Sequence, residues 1–548
     1  MIVKKLPVAW GLTALSALLL LAGCAGTTAI QADSARDAGA SSVLFFADPQ
    51  IHNIYGGGVR QTKPEADLAA GVARRHPETN LLARYAMQDL IERGTAQLAP
   101  SDPALVVVLG DATNAACTGE FQRFMDSAAK AKGKRVMLMA HGNHDSFLMG
   151  TINYWQSMRD PARLVPFRDA PFPVDATWWD TMGTPTHQTS SGWRALCYQS
   201  AAVDSTPMHK IQWLAKYMDS LTGPDAGLEL TQQGSANGRT MFSGHGKPGS
   251  PLAAMNFALK GEWIRPDAAG DGLQKTYDSF IVQAVDIGTT HRLVLVDTSA
   301  CASWPAQWYL RRIRYAAQNA GVKGCMQERQ IDLIRSMVQD SRSSGRHVVF
   351  AGHFPLADIL SRDKDLLIRL MEETSGPRWT YLSAHTHDPM GVRTHGSGAQ
   401  EINMGSTTDW PMAAHRIRFG STIVPTPVGV PEPIVAYKAS PVFPTGPELC
   451  RHVEAAEALR DLDPSLDLDR PGATYTSPGN MTLFRACIDE VDTAWSDYER
   501  RLQLAEAAID ARMADPRYKQ RMLSIMAAAS LHESGQFALV KWFSGVVR

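Results

Sequence analysis

Six short runs in this chain are apolar at nearly every position: 42–47, 104–109, 135–140, 292–296, 347–351 and 379–383. Runs this uniformly apolar suit strands covered on both faces, as in a parallel sheet packed between other layers. Between them the period lengthens. Leu82, Tyr85, Ala86 and Leu90 recur at helical spacing and predict a helix over 78–98, a second is predicted over 119–132, and Ile331, Ile334, Met337 and Val338 share one face of a third. Strands alternating with helices predict a layered α/β domain.

The pattern lapses between about 151 and 276, where Trp155, Trp178, Trp179 and Trp193 stand among many glycines and prolines. This stretch reads as an insertion lying over the site. Its tryptophans either fill a small core of their own or stack on a substrate. Gly244-His-Gly-Lys247 within it lacks the spacing of a phosphate-binding P-loop. Prolines at 425, 427, 431, 433, 441, 444 and 447 make 421–447 a linker or an extended strap. Beyond it, Phe484, Ile488, Val491, Trp495, Tyr498, Leu502, Ala505 and Ile509 form an a/d seam. With shorter helices around 516–531 and 533–547 this predicts a helical C-terminal module over 448–548, packed on its own domain or dimerising through the seam.

Five of the apolar runs end in polar clusters: Asp48-Pro-Gln50, Gly110-Asp111, Gly142-Asn-His-Asp145, Gly352-His353 and His385-Thr-His387. In open α/β sheets ligands gather at the carboxyl ends of strands, so these clusters should meet. Strand alternation would aim His385 and His387 the same way, and likewise Asp48 and Gln50. Carboxylate, amide and imidazole donors without thiolate suit Mn, Fe or Zn, with Mg possible, better than Ca.

The 548 residues are 44% hydrophobic with a formal net charge of −1. A chain of that length buries a large core and exceeds one ordinary domain. The balance of charge supplies no basic face for nucleic acid, so no nucleic-acid partner is expected. Lys4 and Lys5, an apolar stretch from Val8 to Leu21, and Leu21-Ala-Gly-Cys24 read as an export signal too short to span a bilayer comfortably. Its ending resembles a bacterial lipoprotein signal, which implies cleavage after residue 23, lipidation of Cys24, a tether over 24–42 and, with Ala25 following, an outer-membrane anchor facing the periplasm or the surface. The remaining cysteines, Cys117, Cys197, Cys301, Cys325, Cys450 and Cys487, would then lie in an oxidising compartment. Proximity suggests Cys301 with Cys325, Cys450 with Cys487, and Cys117 with Cys197, although six cysteines permit fifteen pairings.

The order Asp-x-Gln, Gly-Asp, Gly-Asn-His-Asp, Gly-His, His-x-His resembles the calcineurin-like metallophosphoesterase superfamily over 43–410, interrupted by the insertion. The resemblance implies a β-sandwich flanked by helices and two divalent metal ions bridged by Asp111. Asp48, Gln50 and His387 would complete one site, and Asn143, His353 and His385 the other. It implies hydrolysis of phosphate mono- or diesters by a hydroxide held between metals about 4 Å apart. His144 would protonate the leaving group or bind a phosphoryl oxygen, with Asp145 orienting it. Gln50 stands where most members have His, which should weaken that site and tilt it toward Mn or Mg. His52 is the alternative ligand. Ala384 replaces a usual Gly, tolerable if the backbone there is ordinary. With Asn114 and no Tyr after Asp111, the purple acid phosphatases are a poor match.

Other polar residues read as structural: His141, His245, His291, His395 and His415 lack ligand spacing. Asn403, Thr407 and Asp409 either touch substrate or shape a turn, and Gly56-Gly57-Gly58 with Arg60 reads as a surface loop. The rival functions are a catalytically inactive lipoprotein using the fold as a binding or assembly module, and a hydrolase acting on a different ester.

Overall fold

The computed structural model describes residues 40–52, 77–114, 116–146, 208, 210–234, 239–264, 279–300, 323–343, 345–396, 398–430 and 509–533. Two mixed sheets carry the architecture. The first has five strands in the order β14-β13-β1-β2-β3, where β1 is Ser41–Phe46, β2 Leu105–Val108, β3 Val136–Met139, β13 Ala413–Phe419 and β14 Ile423–Gly429. Its strands β1, β2 and β3 are parallel, and β13 and β14 add an antiparallel hairpin.

The second sheet has nine strands in the order β11-β12-β10-β9-β8-β7-β6-β5-β4. Here β4 is Leu228–Gly234, β5 Arg239–Gly246, β6 Ala258–Ile264, β7 Phe280–Ile287, β8 His291–Leu295, β9 His347–Ala351, β10 Thr380–Ser383, β11 Gly391–His395 and β12 Ala399–Asn403. Strands β8, β9, β10 and β12 run parallel, while β4 to β7 form an antiparallel meander ending on β8.

Central strands bury both faces, as their apolar runs require. On β7, Ile281, Val285 and Ile287 face the core shared with the five-stranded sheet, and Phe280, Val282 and Ala284 face the other core. Strand β9 divides likewise, Val349 and Ala351 against Val348 and Phe350. Helices α1 (Pro77–Ala96) and α2 (Thr118–Lys132) cover the outer face of the five-stranded sheet. Helices α4 (Glu328–Ser343) and α5 (Ser361–Ser375) cover the outer face of the nine-stranded one. Each large apolar side chain taken from water contributes roughly 1.5–3 kcal/mol. These two cores therefore hold the layers in place, and the polar loops at their rim need not.

Two expectations change. The stretch predicted as an insertion contains α3 (Lys210–Thr222) and strands β4, β5 and β6, so from Lys210 onward it extends the main sheet. Strand β5 escaped notice because it alternates buried and exposed residues and is broken by glycines. Likewise Ile423–Gly429, inside the expected linker, is an edge strand, where Pro425 and Pro427 pair opposite Ile417 and His415. Within the expected C-terminal module, α6 (Pro516–Glu533) packs on α1 through Tyr518, Met522, Leu523 and Met526, with Lys519 on Asp89 and Glu92. Ile509, the last residue of the expected seam, is buried in the same core, while the rest of the seam and the four insertion tryptophans lie outside the described residues. No helix among the described residues is long and apolar enough to cross a membrane.

Candidate metal centre

The loops leaving β1, β2, β3, β9 and β10 meet where the two sheets adjoin. Asp111, His353 and His385 place donor atoms within 4.8 Å of one another, and so do Asp48, Asp111 and His387. One carboxylate is common to both groups. The amides complete them: Asn143 Oδ1 lies 2.8 Å from His353 Nε2 and 3.0 Å from His385 Nδ1, and Gln50 Nε2 lies 3.1 Å from Asp111 Oδ2 and 3.3 Å from His387 Nε2. All seven candidate ligands are thus brought together.

Strand alternation is not what aims them. Asp48, Gln50, Asp111, His385 and His387 all have positive φ, between 37° and 73°. Five left-handed non-glycine residues cost roughly 1–3 kcal/mol each. Against a net domain stability of roughly 5–15 kcal/mol, such strain persists only where surrounding structure enforces it. Ala384 is absent from the left-handed residues and fully buried, so the departure from Gly there is structurally tolerable. Glycine is needed elsewhere: a Cβ on Gly142 would sit 2.1 Å from Asp111 Oδ1, and Gly110 turns at φ 92° beside the His353 ring.

The donor set fits a cation. The Leu109 carbonyl, 2.8 Å from His353 Nδ1, can only accept, so that nitrogen carries the proton. In the neutral ring Nε2 then turns a lone pair toward Asn143 Oδ1, His385 Nδ1 at 3.2 Å and Asp111 Oδ2 at 3.4 Å. Lone pairs converge stably only around positive charge. Asp48 Oδ1 is buried and faces His387 Nε2 at 3.2 Å. Behind His387, Nδ1 meets the Asp409 carboxylate in a very short contact, the arrangement that fixes the tautomer of a metal-binding histidine.

Ionisation follows the same geometry. Burial works against charge on Asp111, but His353, His144 and His385 together hold its carboxyl at about 2. Burial, with help from His353, keeps His385 well below the usual imidazole range and hence neutral. For His387 burial also opposes charge, yet Asp409 and Asp48 outweigh it and raise the ring to about 10. Asp145 is pushed up to about 7 by burial and then by the neighbouring Asp111 charge.

His144 is nearly buried beside the cluster. Its backbone N–H donates to Asp111 Oδ1 at 2.8 Å, and its ring Nδ1 is 2.7 Å from the Asn114 carbonyl. The orienting role expected of Asp145 therefore falls to Asn114. The Asp145 carboxylate instead accepts from the backbone N–H groups of Gly142, 2.9 Å, and Thr113, 3.1 Å, pinning two strand-end loops together. His52 is drawn to Glu120, 3.0 Å away, while Gln50 occupies the cluster.

Of the residues read as structural, His141 is buried edge-on to Trp213 with Nε2 on Ser146, and its burial keeps it neutral. His245 is exposed near Glu229, His395 pairs with Glu401, His291 stands by Thr290, and burial lowers His415 to about 4. Asn403 supports the turn by donating to the Ala384 carbonyl. Asp409 was underestimated, because its link to His387 crosses 22 residues and two strands, a separation no local pattern reveals. The buried pair Lys210–Asp297, at 2.8 Å, was also missed; Ser299 beside it bonds the His141 carbonyl and Thr298 the Phe354 amide. Cys117 and Cys325 are each disulfide-bonded, and their expected partners Cys197 and Cys301 lie outside the described residues, as do Cys24, Arg60 and its glycines.

No known protein family's profile matches the chain, and no curated protein is significantly similar to it.

Proposed function

We propose that the protein is a dinuclear metal-dependent phosphoesterase of the calcineurin-like kind, hydrolysing phosphate mono- or diesters. The observation that carries this reading is the pair of buried donor groups sharing Asp111. Asp48, Gln50, Asp111 and His387 would hold one ion, and Asp111, Asn143, His353 and His385 the other. Bound there, Mn, Fe, Zn or Mg would supply an activated water and offset the charge that builds on the phosphoryl oxygens.

The chain's own contribution is positional and protic. A His144 ring whose Nδ1–H is committed to the Asn114 carbonyl carries any second proton on Nε2, from which it protonates the departing oxygen. Asp145 keeps the loop bearing Asn143 and His144 fixed to the loop bearing Asp111 and Thr113. The test is a panel of mono- and bis-aryl phosphates beside carboxylic esters, with Mn, Zn, Fe and Mg added in turn. Phosphoester turnover that requires metal is expected, with His144→Ala losing turnover but keeping metal. A metal-free protein, cleavage of carboxylic esters alone, or near-normal His144→Ala rates on a poor leaving group would overturn the reading.

The same proposal puts the enzyme outside the cytoplasm, anchored through a lipid on Cys24, with a small phosphoester rather than a nucleic acid as its partner. Disulfide bonding at Cys117 and Cys325 supports an oxidising compartment. Globomycin or Cys24→Ala should block maturation and change membrane fractionation; no change would refute the anchor.

A further inference from the structure

A second polar layer lies behind His144, and the hydrolytic reading makes no use of it. The Asn114 carbonyl holds the His144 ring, and the Asn114 side-chain Nδ2 is 3.3 Å from Nδ1 of His52. That same His52 nitrogen is 3.0 Å from Glu120 Oε1, and Glu120 Oε2 accepts the Cys117 backbone N–H at 3.3 Å at the head of α2. His52, Asn114, Glu120 and His144 are all buried, at most 8% exposed. They come from four places in the chain: the loop after β1, the loop after β2, the first turn of α2 and the loop after β3.

A buried carboxylate paired with imidazole is a poor way to gain stability, since desolvation consumes most of the attraction. Its use lies in fixing geometry. The Asn114 backbone is tied to the β1 loop through its N–H on the Ile51 carbonyl, 3.3 Å, and through the bridge between Ile51 and Thr113. One nitrogen cannot donate to Glu120 and accept from Asn114 at once, so the His52–Glu120 pair confines the Asn114 side chain against α2 by contact. Main chain and side chain together leave the carbonyl one height and one direction.

We infer that His52 and Glu120 are a positioning pair for the proton donor: through Asn114 they aim the His144 ring at the leaving oxygen. The inference rests on the reading of His144 as an acid. It also accounts for a histidine two residues beyond Gln50 that is not among the converging donors. Misplacing a reacting group by about 1 Å costs on the order of a hundredfold in rate.

The experiment compares His52→Ala, the milder His52→Gln and Glu120→Gln with the parent protein, loaded with Mn. Two phosphoesters are used that differ only in leaving group, p-nitrophenol against a simple alcohol. A lost proton donor is felt most by the poor leaving group. His52→Ala is expected to retain metal, to lose about 10–100-fold in kcat on the alkyl ester and much less on the nitrophenyl ester, with KM little changed. His52→Gln and Glu120→Gln should show a weaker form of the same selectivity. Combined with His144→Ala, His52→Ala should add almost nothing, because the two act through one group.

Equal losses on both esters, no loss on the alkyl ester, or full additivity with His144→Ala would overturn the inference. If His144→Ala shows leaving-group selectivity and the His52 and Glu120 variants do not, the positioning role alone fails. If His144→Ala shows none, its acid role and this inference fall together.

Discussion

The two halves of the donor cluster share Asp111 and are otherwise built on different principles. Asn143 and His353 are buried, His385 is half-buried like His387, and the brace behind His353 is a buried backbone carbonyl, that of Leu109. Asp48 and Gln50 are buried as deeply, and this half opens to solvent at its brace, since His387 is backed by the Asp409 carboxylate, 27% exposed; on that account it is the open half. A carbonyl fixes a tautomer without adding charge. A carboxylate fixes it and also raises the ring's basicity, so the open half binds a proton more readily when no cation is present. One half is braced by a neutral carbonyl and the other by a charged carboxylate.

The largest effect should come from an atom that belongs to neither half. Gly142→Ala would drive a methyl group to 2.1 Å from Asp111 Oδ1, so the shared carboxylate must move and both halves fail. Metal content of the folded variant should fall from two ions to less than one and turnover should vanish; two retained ions would show that Asp111 is not held as described. Next is Asp409→Asn, which should weaken the open half alone, by about 10–100-fold in affinity. Isothermal titration should then show one unchanged and one weakened site, whereas equal weakening of both would dissolve the distinction between the halves.

Protons sharpen the contrast further. Because His387 is raised to about 10, it is protonated throughout the neutral range in the metal-free protein, and a cation must displace that proton. Affinity at the open half should therefore rise about tenfold per pH unit through neutrality. His385 is held neutral, so its ring gives the buried half no such proton to release. Buffer-dependent calorimetry between pH 6 and 8 would read the difference as protons released per ion; equal release at both sites would contradict it. The smallest effect expected is that of Gln50→His, which should leave the fold intact and shift the open half's preference from Mn or Mg toward Zn. An unchanged metal profile would mean that Gln50 contributes no bond.

Much of the centre was legible in the sequence because its parts are local. Each of the five clusters sits within a few residues of an apolar run, and Leu82, Tyr85 and Leu90, or Ile331 and Ile334, declare their buried faces by period alone. Left-handed backbone at Asp48, Gln50, Asp111, His385 and His387 was not legible, since these residue types carry no glycine-like mark of it. The ligands converge for a different reason from the strand alternation first invoked. Strands β4 to β6 and the β13–β14 hairpin were obscured by glycines, by prolines at an edge, and by alternating exposure that resembles loop composition. Contacts between distant segments, such as Asp409 with His387, Asn114 with His144 and Lys210 with Asp297, arise only once the layers have closed.

The central claim, that one carboxylate joins two cation sites, is tested most directly by titrating the purified mature protein with Mn and following the low-temperature paramagnetic resonance spectrum. Two equivalents should bind and give an exchange-coupled dinuclear signal, and Asp111→Asn should abolish the coupling. A single isolated ion, two uncoupled ions, or coupling that survives Asp111→Asn would contradict the account.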